Sequence, residues 1–320
     1  MTAPRTLILA LSAALAACSD DQLRLRPAPE PPRLLSSQFD QRVEMALERL
    51  EVERDGEVKQ EPLAAGSRLE STERIVFEDA WDGAELVRTF AALEGLKRHV
   101  LTDEFGEHVD ERTKSSPLAG ARVRFDALGA TRFDSAGGDE RHLAGLVAGS
   151  GLAVFLTDAP LAPNQRWRVD ASALAELLHP GGDLELAAAE DSASARESQS
   201  QLRRNLSGEL EVIFWGLREL GGLELGVLQL VGEVQTHAQT EERELDFVLV
   251  QRFELRRRVD GEILWDRRAG RAHAARVECK LEMLSITRQT RSDELLPRVM
   301  ERRASFRGSS RTDARFEATN

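Results

Sequence analysis

Two thiols and six imidazoles are the side chains of this 320-residue sequence best suited to covalent or metal chemistry, and their spacing limits what they can do. His99, His108, His142, His179, His237 and His273 never fall three or four residues apart, so no helix can aim two of them at one ion. His273 and Cys279 share strand parity, but six residues at about 3.4 Å each separate them by roughly 20 Å, too far for one metal. A core Cys279 and an exposed His273 are expected instead. Asp103, Glu104, Glu107, Asp110 and Glu111 crowd around Gly106 without the alternating spacing of a calcium loop, which predicts a solvated acidic loop. Gly149-Ser150-Gly151 lacks the outer positions of the G-x-S-x-G elbow and lies inside an apolar run. The pairs Gly137-Gly138, Gly181-Gly182 and Gly221-Gly222 fall between expected elements, where turn duty accounts for them. Trp81, Trp167, Trp215 and Trp265 read as core or sheet-edge residues. No catalytic residue, metal site or cofactor is expected.

Cys18 is different. It follows Leu15, Ala16 and Ala17, and residues 1–17 have the form of an export signal: Arg5 in a short leader, an apolar core from Thr6 to Ala17, then small residues. That core is about half of the roughly 20 residues a membrane-spanning helix needs. A thiol nucleophile with small side chains ahead of it leaves the backbone open to a peptidase. Leu15-Ala16-Ala17-Cys18 resembles a bacterial lipobox. The resemblance implies a diacylglyceryl thioether on Cys18, cleavage before it and acylation of the new amino terminus, so that the lipid bilayer is the first partner. Several acyl chains make a stable anchor, at roughly 0.8 kcal/mol per buried methylene. Ser19 after the cysteine favours the outer membrane, and Asp20 stands one position late for the usual retention signal. The competing reading is an ordinary secretory signal followed by an incidental cysteine.

The net charge is −12, and losing Arg5 with the signal brings the mature chain to −13. That excludes nucleic acid and anionic lipid surfaces as main electrostatic partners. Apolar residues make up 41 % and charged residues 31 %, the composition of a globular domain. With Cys18 acylated, Cys279 has no cysteine left to pair with, despite an oxidising compartment.

Residues 18–37 carry Pro27, Pro29, Pro31 and Pro32 without periodicity and read as a lipidated start and an extended linker holding the domain several nanometres from the membrane. Residues 38–189 read as a β-rich first half with helices. Gln41–Leu50 allows a short helix or a strand, and the Asp55-Gly56 turn favours strands on both sides. Arg68–Asp79 is a strand. Glu85–Leu101 is ambiguous, with Leu86, Phe90, Leu93 and Leu96 at helical spacing. Ala121–Asp126 and Ala130–Asp134 form a hairpin about Leu128-Gly129. Glu140–Leu156 is apolar all round, too short to span a membrane, and reads as a buried helical hairpin. Pro160–Asn164 is a turn, Arg166–Val169 a strand, and Asp170 an N-cap for a helix over Ala171–Leu178 that His179-Pro180-Gly181-Gly182 ends. Glu190–Asn205 is an exposed helix or loop.

Residues 190–320 read as antiparallel strands: Glu209–Trp215, Leu223–Gln235, Arg243–Arg257, Glu262–Asp266 after a turn at Asp260-Gly261, a strand carrying Ala275, Val277, Cys279, Leu281 and Met283 on one face, and Ala304–Ala318 bent at Gly308. The expected fold is α+β, mainly β: a curved antiparallel sheet with a few packed helices, open-barrel or lipoprotein-carrier-like, in two linked halves.

Ser116-Pro117-Leu118-Ala119-Gly120, Pro163-Asn164-Gln165-Arg166-Trp167, Pro180-Gly181-Gly182 and Gly261-Glu262-Ile263-Leu264-Trp265-Asp266, in that order, resemble a group of uncharacterised β-rich envelope lipoproteins over residues 40–318. The resemblance supports the strands and implies no activity. A looser likeness is to lipoprotein carriers whose curved sheet wraps a hydrophobic cavity, with Glu140–Leu156 as a plug. The expected function is a non-enzymatic envelope lipoprotein that binds a hydrophobic ligand or scaffolds an envelope protein. The alternative is an envelope-associated hydrolase. Cys18→Ala is expected to abolish incorporation of radiolabelled palmitate while Cys279→Ala leaves it intact; label retained on Cys18→Ala removes the anchor.

Overall fold

The computed structural model describes residues 23–320 apart from 55, 61–65, 84, 104, 127, 130, 135–137, 244–246, 292–297 and 320. Leu15, Ala16, Ala17 and Cys18 therefore lie outside the described residues. In chain order the strands are β1 (Leu34–Arg54), β2 (Glu57–Gln60), β3 (Arg68–Asp82), β4 (Glu85–Asp103), β5 (Gly106–Ser115), β6 (Arg122–Phe125), β7 (Thr131–Phe133), β8 (Gln165–Asp170) and β9 (Ala187–Ala188). They continue as β10 (Ser207–Leu220), β11 (Leu223–Arg243), β12 (Phe247–Asp266), β13 (Arg271–Arg291) and β14 (Arg298–Thr319). The helices are α1 (Ala175–Leu178) and α2 (Ala193–Arg204), with single 3-10 turns at Glu140–Leu143, Ala153–Phe155 and Ala171–Leu174.

All 14 strands belong to one antiparallel sheet, mainly β as expected, in the order β7-β6-β4-β3-β1-β14-β13-β12-β11-β10-β8 and not closed on itself. The first and last long strands lie side by side at its centre, paired from Leu34↔Thr319 to Arg54↔Met300. β14 has 22 residues, about 75 Å at roughly 3.4 Å per residue. Along β12 and β13 burial alternates, with Val259, Ile263, Val277, Cys279 and Leu281 inward and arginines and glutamates outward. The inward face is the core.

The stretch 139–206 covers that face by crossing it repeatedly. It leaves β7 at one edge and supplies β8 at the other, returns as β9 to pair with β5, and then lays α2 against β11. Leu143, Leu146, Leu152, Phe155, Leu174 and Leu177 on this stretch join the sheet's core cluster. Asp170 caps the turn Ala171–Leu174 through Ser172 N, and Ser192 caps α2 through Ala195 N.

Four expectations change. Glu85–Leu101 is strand, not helix: a bulge at Ala91, between the pairs Phe77↔Phe90 and Val76↔Ala92, switches parity, so Leu86, Phe90 and Leu93 all face inward from a strand at helix-like intervals. Glu140–Leu156 is not a helical hairpin; its glycines, with φ of +86° at Gly145, +79° at Gly149 and +62° at Gly151, break it into two 3-10 turns and a loop. Asp260-Gly261 does not turn the chain. The ladder continues through Val231↔Asp260 and Asp260↔Glu278, and cross-strand pairing on both sides overrides the dipeptide's turn preference. The linker also ends early: Leu25 is buried and β1 begins at Leu34.

A second bulge, at His273 between Leu264↔Ala274 and Trp265↔Ala272, undoes the shared parity of His273 and Cys279. Cys279 is buried as a free thiol, and His273 is half-buried. At the sheet's centre Gly308 lets β14 approach β1: a Cβ there would lie 1.8 Å from Glu44 O. Gly308→Val is expected to lower unfolding free energy by at least about 2 kcal/mol in urea titration, the cost of overpacking where backbone is the obstacle. The exposed neighbour change Ser309→Ala is expected to leave the midpoint in place.

Candidate ligand cavity

Between the inward sheet face and the segments that cross it lies a cavity of about 540 Å³. Its floor is aromatic and comes from four strands: Phe39 on β1, Phe77 on β3, Phe316 on β14 and Trp265 on β12. Phe39 stacks on Phe77 at 5.9 Å between ring centroids and meets Phe316 edge-on at 5.6 Å. Inward alternation on each strand places these rings together, although they are far apart in sequence.

The roof is the N-terminal stretch expected to be a linker. Leu23 O accepts Leu161 N at 2.7 Å, Arg24 Nη1 donates to Asp158 O at 3.2 Å, and Ala28 N donates to Gly270 O at 2.8 Å. Leu25 covers Gly226, where a Cβ would come within 2.6 Å of its side chain. Pro27, Ala28, Pro31 and Pro32 then line the cavity. Proline lacks an N–H and is pre-set in φ, so it can cross an apolar face without stranding a donor. For the same reason the stretch shows no strand or helix period in the sequence.

A second wall is the loop around Gly149-Ser150-Gly151. Glu176 on α1 accepts Ser150 N at 2.8 Å and Leu152 N at 2.9 Å. Ser150 Oγ accepts Val154 N at 3.1 Å, so this hydroxyl has a turn to hold. Val147 N donates to Gly181 O at 3.0 Å, and Gly182, with φ of +90°, leaves room for Gly145 O, which a Cβ would approach to 2.3 Å.

Arg88 ties this loop to the sheet, and sequence reading missed it because Glu85–Leu101 is ambiguous there, with its apolar residues at helical spacing. Its Nε and Nη2 donate to the two Asp79 oxygens at 2.7 and 2.8 Å, in the two-point geometry that suits guanidinium and carboxylate. Nη1 donates to Val147 O at 3.0 Å and Nη2 also to Ala148 O at 2.6 Å. The guanidinium lies 4.0 Å from the centroid of the Phe77 ring, and Arg88 is 2 % exposed. The signal was an arginine at an inward strand position.

His179, which ends α1, is the imidazole that reaches this cavity. Burial, with the charges of Arg203 and Arg257, holds it well below the usual histidine range, so it is neutral at pH 7. His179 Nε2 and Trp265 Nε1 are buried without hydrogen-bond partners among the described residues. The walls thus hold two unused polar atoms beside the aromatic floor.

The other candidates stay apart. His142 Nδ1 meets Glu185 Oε2 at 2.8 Å, His99 is held low by burial, and Glu107, Asp110 and Glu111 lie exposed on the β4–β5 hairpin. Trp215 is 53 % exposed and Trp167 half-buried, whereas half-buried Trp81 and core Trp265 both line the cavity. Among the described residues no three His, Cys, Asp or Glu side chains gather as metal ligands, and no helix is long and apolar enough to cross a membrane.

No protein-family model and no curated protein matches the chain. Among solved structures it is similar to Pseudomonas aeruginosa OccK2 (OpdF), with 6% identity over 88% of this chain and 97% of that one and a TM-score of 0.13. It is likewise similar to Acinetobacter baumannii OccAB4, with 6% identity over 91% and 100% and a TM-score of 0.14. Pseudomonas aeruginosa OccK11 (OpdR) gives 10% identity over 88% and 96% and a TM-score of 0.14.

Removing one member of the Arg88–Asp79 pair strands the other in the core. Arg88→Met and Asp79→Asn are each expected to cost about 3–5 kcal/mol in urea unfolding, and Arg88→Met with Asp79→Leu less than either alone.

Proposed function

We propose that this protein is an envelope lipoprotein with a non-enzymatic role: anchored through acylated Cys18, it holds a hydrophobic ligand in the cavity over its inward sheet face. The cavity carries this reading. At about 540 Å³ it falls within the roughly 300–1,000 Å³ of small-molecule sites, and its floor is aromatic and aliphatic. Ser19 supports the outer membrane as the destination. The hydrolase reading finds little support at this site. Ser150 Oγ is engaged by a backbone N–H, and Glu176 is held by two others.

The tether is short. Leu23 is already bonded to the body through Leu161 N, and from Cys18 to Leu23 a fully extended chain spans at most about 18 Å. On this reading the body rides close to the lipid surface, with the roofed side of the cavity joined directly to the anchor.

Native mass spectrometry of the full-length protein released from detergent, compared with the denatured mass, tests both parts. The expected result is a covalent acyl mass that survives denaturation and a lipid-sized adduct that does not. A native mass equal to the denatured one overturns the ligand reading, and an unmodified denatured mass overturns the anchor.

A further inference from the structure

We propose that the ligand is an anionic amphiphile whose oxyanion is held at Arg271 and whose hydrocarbon part lies over the aromatic floor; this rests on the ligand cavity proposed above. The chain has a net charge of −12, yet four arginines line the cavity against three carboxylates. Each of those carboxylates is already engaged. Asp79 is forked by Arg88, and Glu176 takes the N–H groups of Ser150 and Leu152. Asp183 takes Arg204 Nη2 at 3.0 Å and Arg203 Nη1 at 3.5 Å. Arg271 is the remaining lining cation. It is half-buried and makes neither an ion pair nor a side-chain hydrogen bond among the described residues.

Its position suits a head group. Arg271 opens β13 directly after Gly270, whose carbonyl binds Ala28 of the roof, so it stands at the rim where the roof crosses the sheet. Phe39 and Phe316 lie on the neighbouring floor for an apolar tail. A guanidinium offers five donors in a fork that matches carboxylate and phosphate oxygens.

The field behind the wall has the same sign. Arg257, on the inward face of β12, is buried, donates Nη1 to Thr236 Oγ1 at 3.0 Å, and has no carboxylate partner among the described residues. Burial pushes it down to about 10, which leaves it cationic at neutral pH. Its charge reaches His179 on the cavity wall, as does that of Arg203, which Glu73 and Asp183 flank. An anion in the cavity would complement the unpaired charges of Arg257 and Arg271, and a cationic ligand would add to them.

The test is competition between palmitate and hexadecanol, equal in chain and different in charge, for the full-length protein, with bound probe read by native mass spectrometry. Wild type is expected to prefer palmitate roughly tenfold or more, the value of a charge-assisted hydrogen bond. Arg271→Gln is expected to lose that preference while still binding hexadecanol, and Arg271→Lys to keep most of it. A palmitoyl lysophosphatidate probe distinguishes a phosphate head from a carboxylate, and Arg271-dependent binding of either supports the proposal. Equal binding of palmitate and hexadecanol by wild type overturns it and leaves the hydrophobic cavity standing, as does a preference unchanged in Arg271→Gln. Binding of no probe removes the cavity reading and this one together.

Discussion

The ladder between Leu34–Arg54 and Arg298–Thr319 is the constraint on which the rest of the structure depends. It joins the beginning of the folded chain to its end and brings Phe39 against Phe316, so that residues from both ends form one cavity floor. Without it the sheet would be two shorter curls, each with a long open edge, and the stretch 139–206 would have no continuous face to cross. Gly308 matters for this reason. A Cβ there would run into the backbone of Glu44 and Met45, so the absence of a side chain lets the halves meet.

Much of the sheet was legible because half-buried strands announce themselves at period two. Ala275, Val277, Cys279 and Leu281 against Arg276, Glu278 and Lys280 could be nothing else, and all four of the apolar residues are buried. The misreadings share a physical origin: local signals weigh local geometry, and pairing partners decide otherwise. One extra residue at Ala91 turned a strand pattern into a helical one, and one at His273 broke a parity that the sequence showed intact. Asp260-Gly261 has turn residues, but two neighbouring strands hold it extended.

The cavity was barely legible. Its roof comes from prolines whose periodicity is that of a linker, and its charged lining from arginines that composition alone assigns to the surface. Arg88 shows why. Its value lies in the Asp79 fork, the Phe77 ring and two loop carbonyls, and those four partners are scattered over β3 and the loop before Leu152. A single sequence contains the pieces and no measure of their distance.

Pairing first strand with last also fixes an order of events. A chain synthesised from its amino terminus delivers Leu34–Arg54 well before its central partner, Arg298–Thr319. Until then β1 has β3 on one side and an unsatisfied row of N–H and C=O groups on the other, about twenty residues long and open to any passing strand. Non-local pairing of this kind is slow to form, because almost the whole chain must be closed into a loop before the first contact is made. The mature sheet is therefore most exposed to misassembly during its own biogenesis, and the alternating charges along β1's outward face, from Arg42 and Glu44 to Arg49 and Glu51, discourage wrong partners while the strand waits.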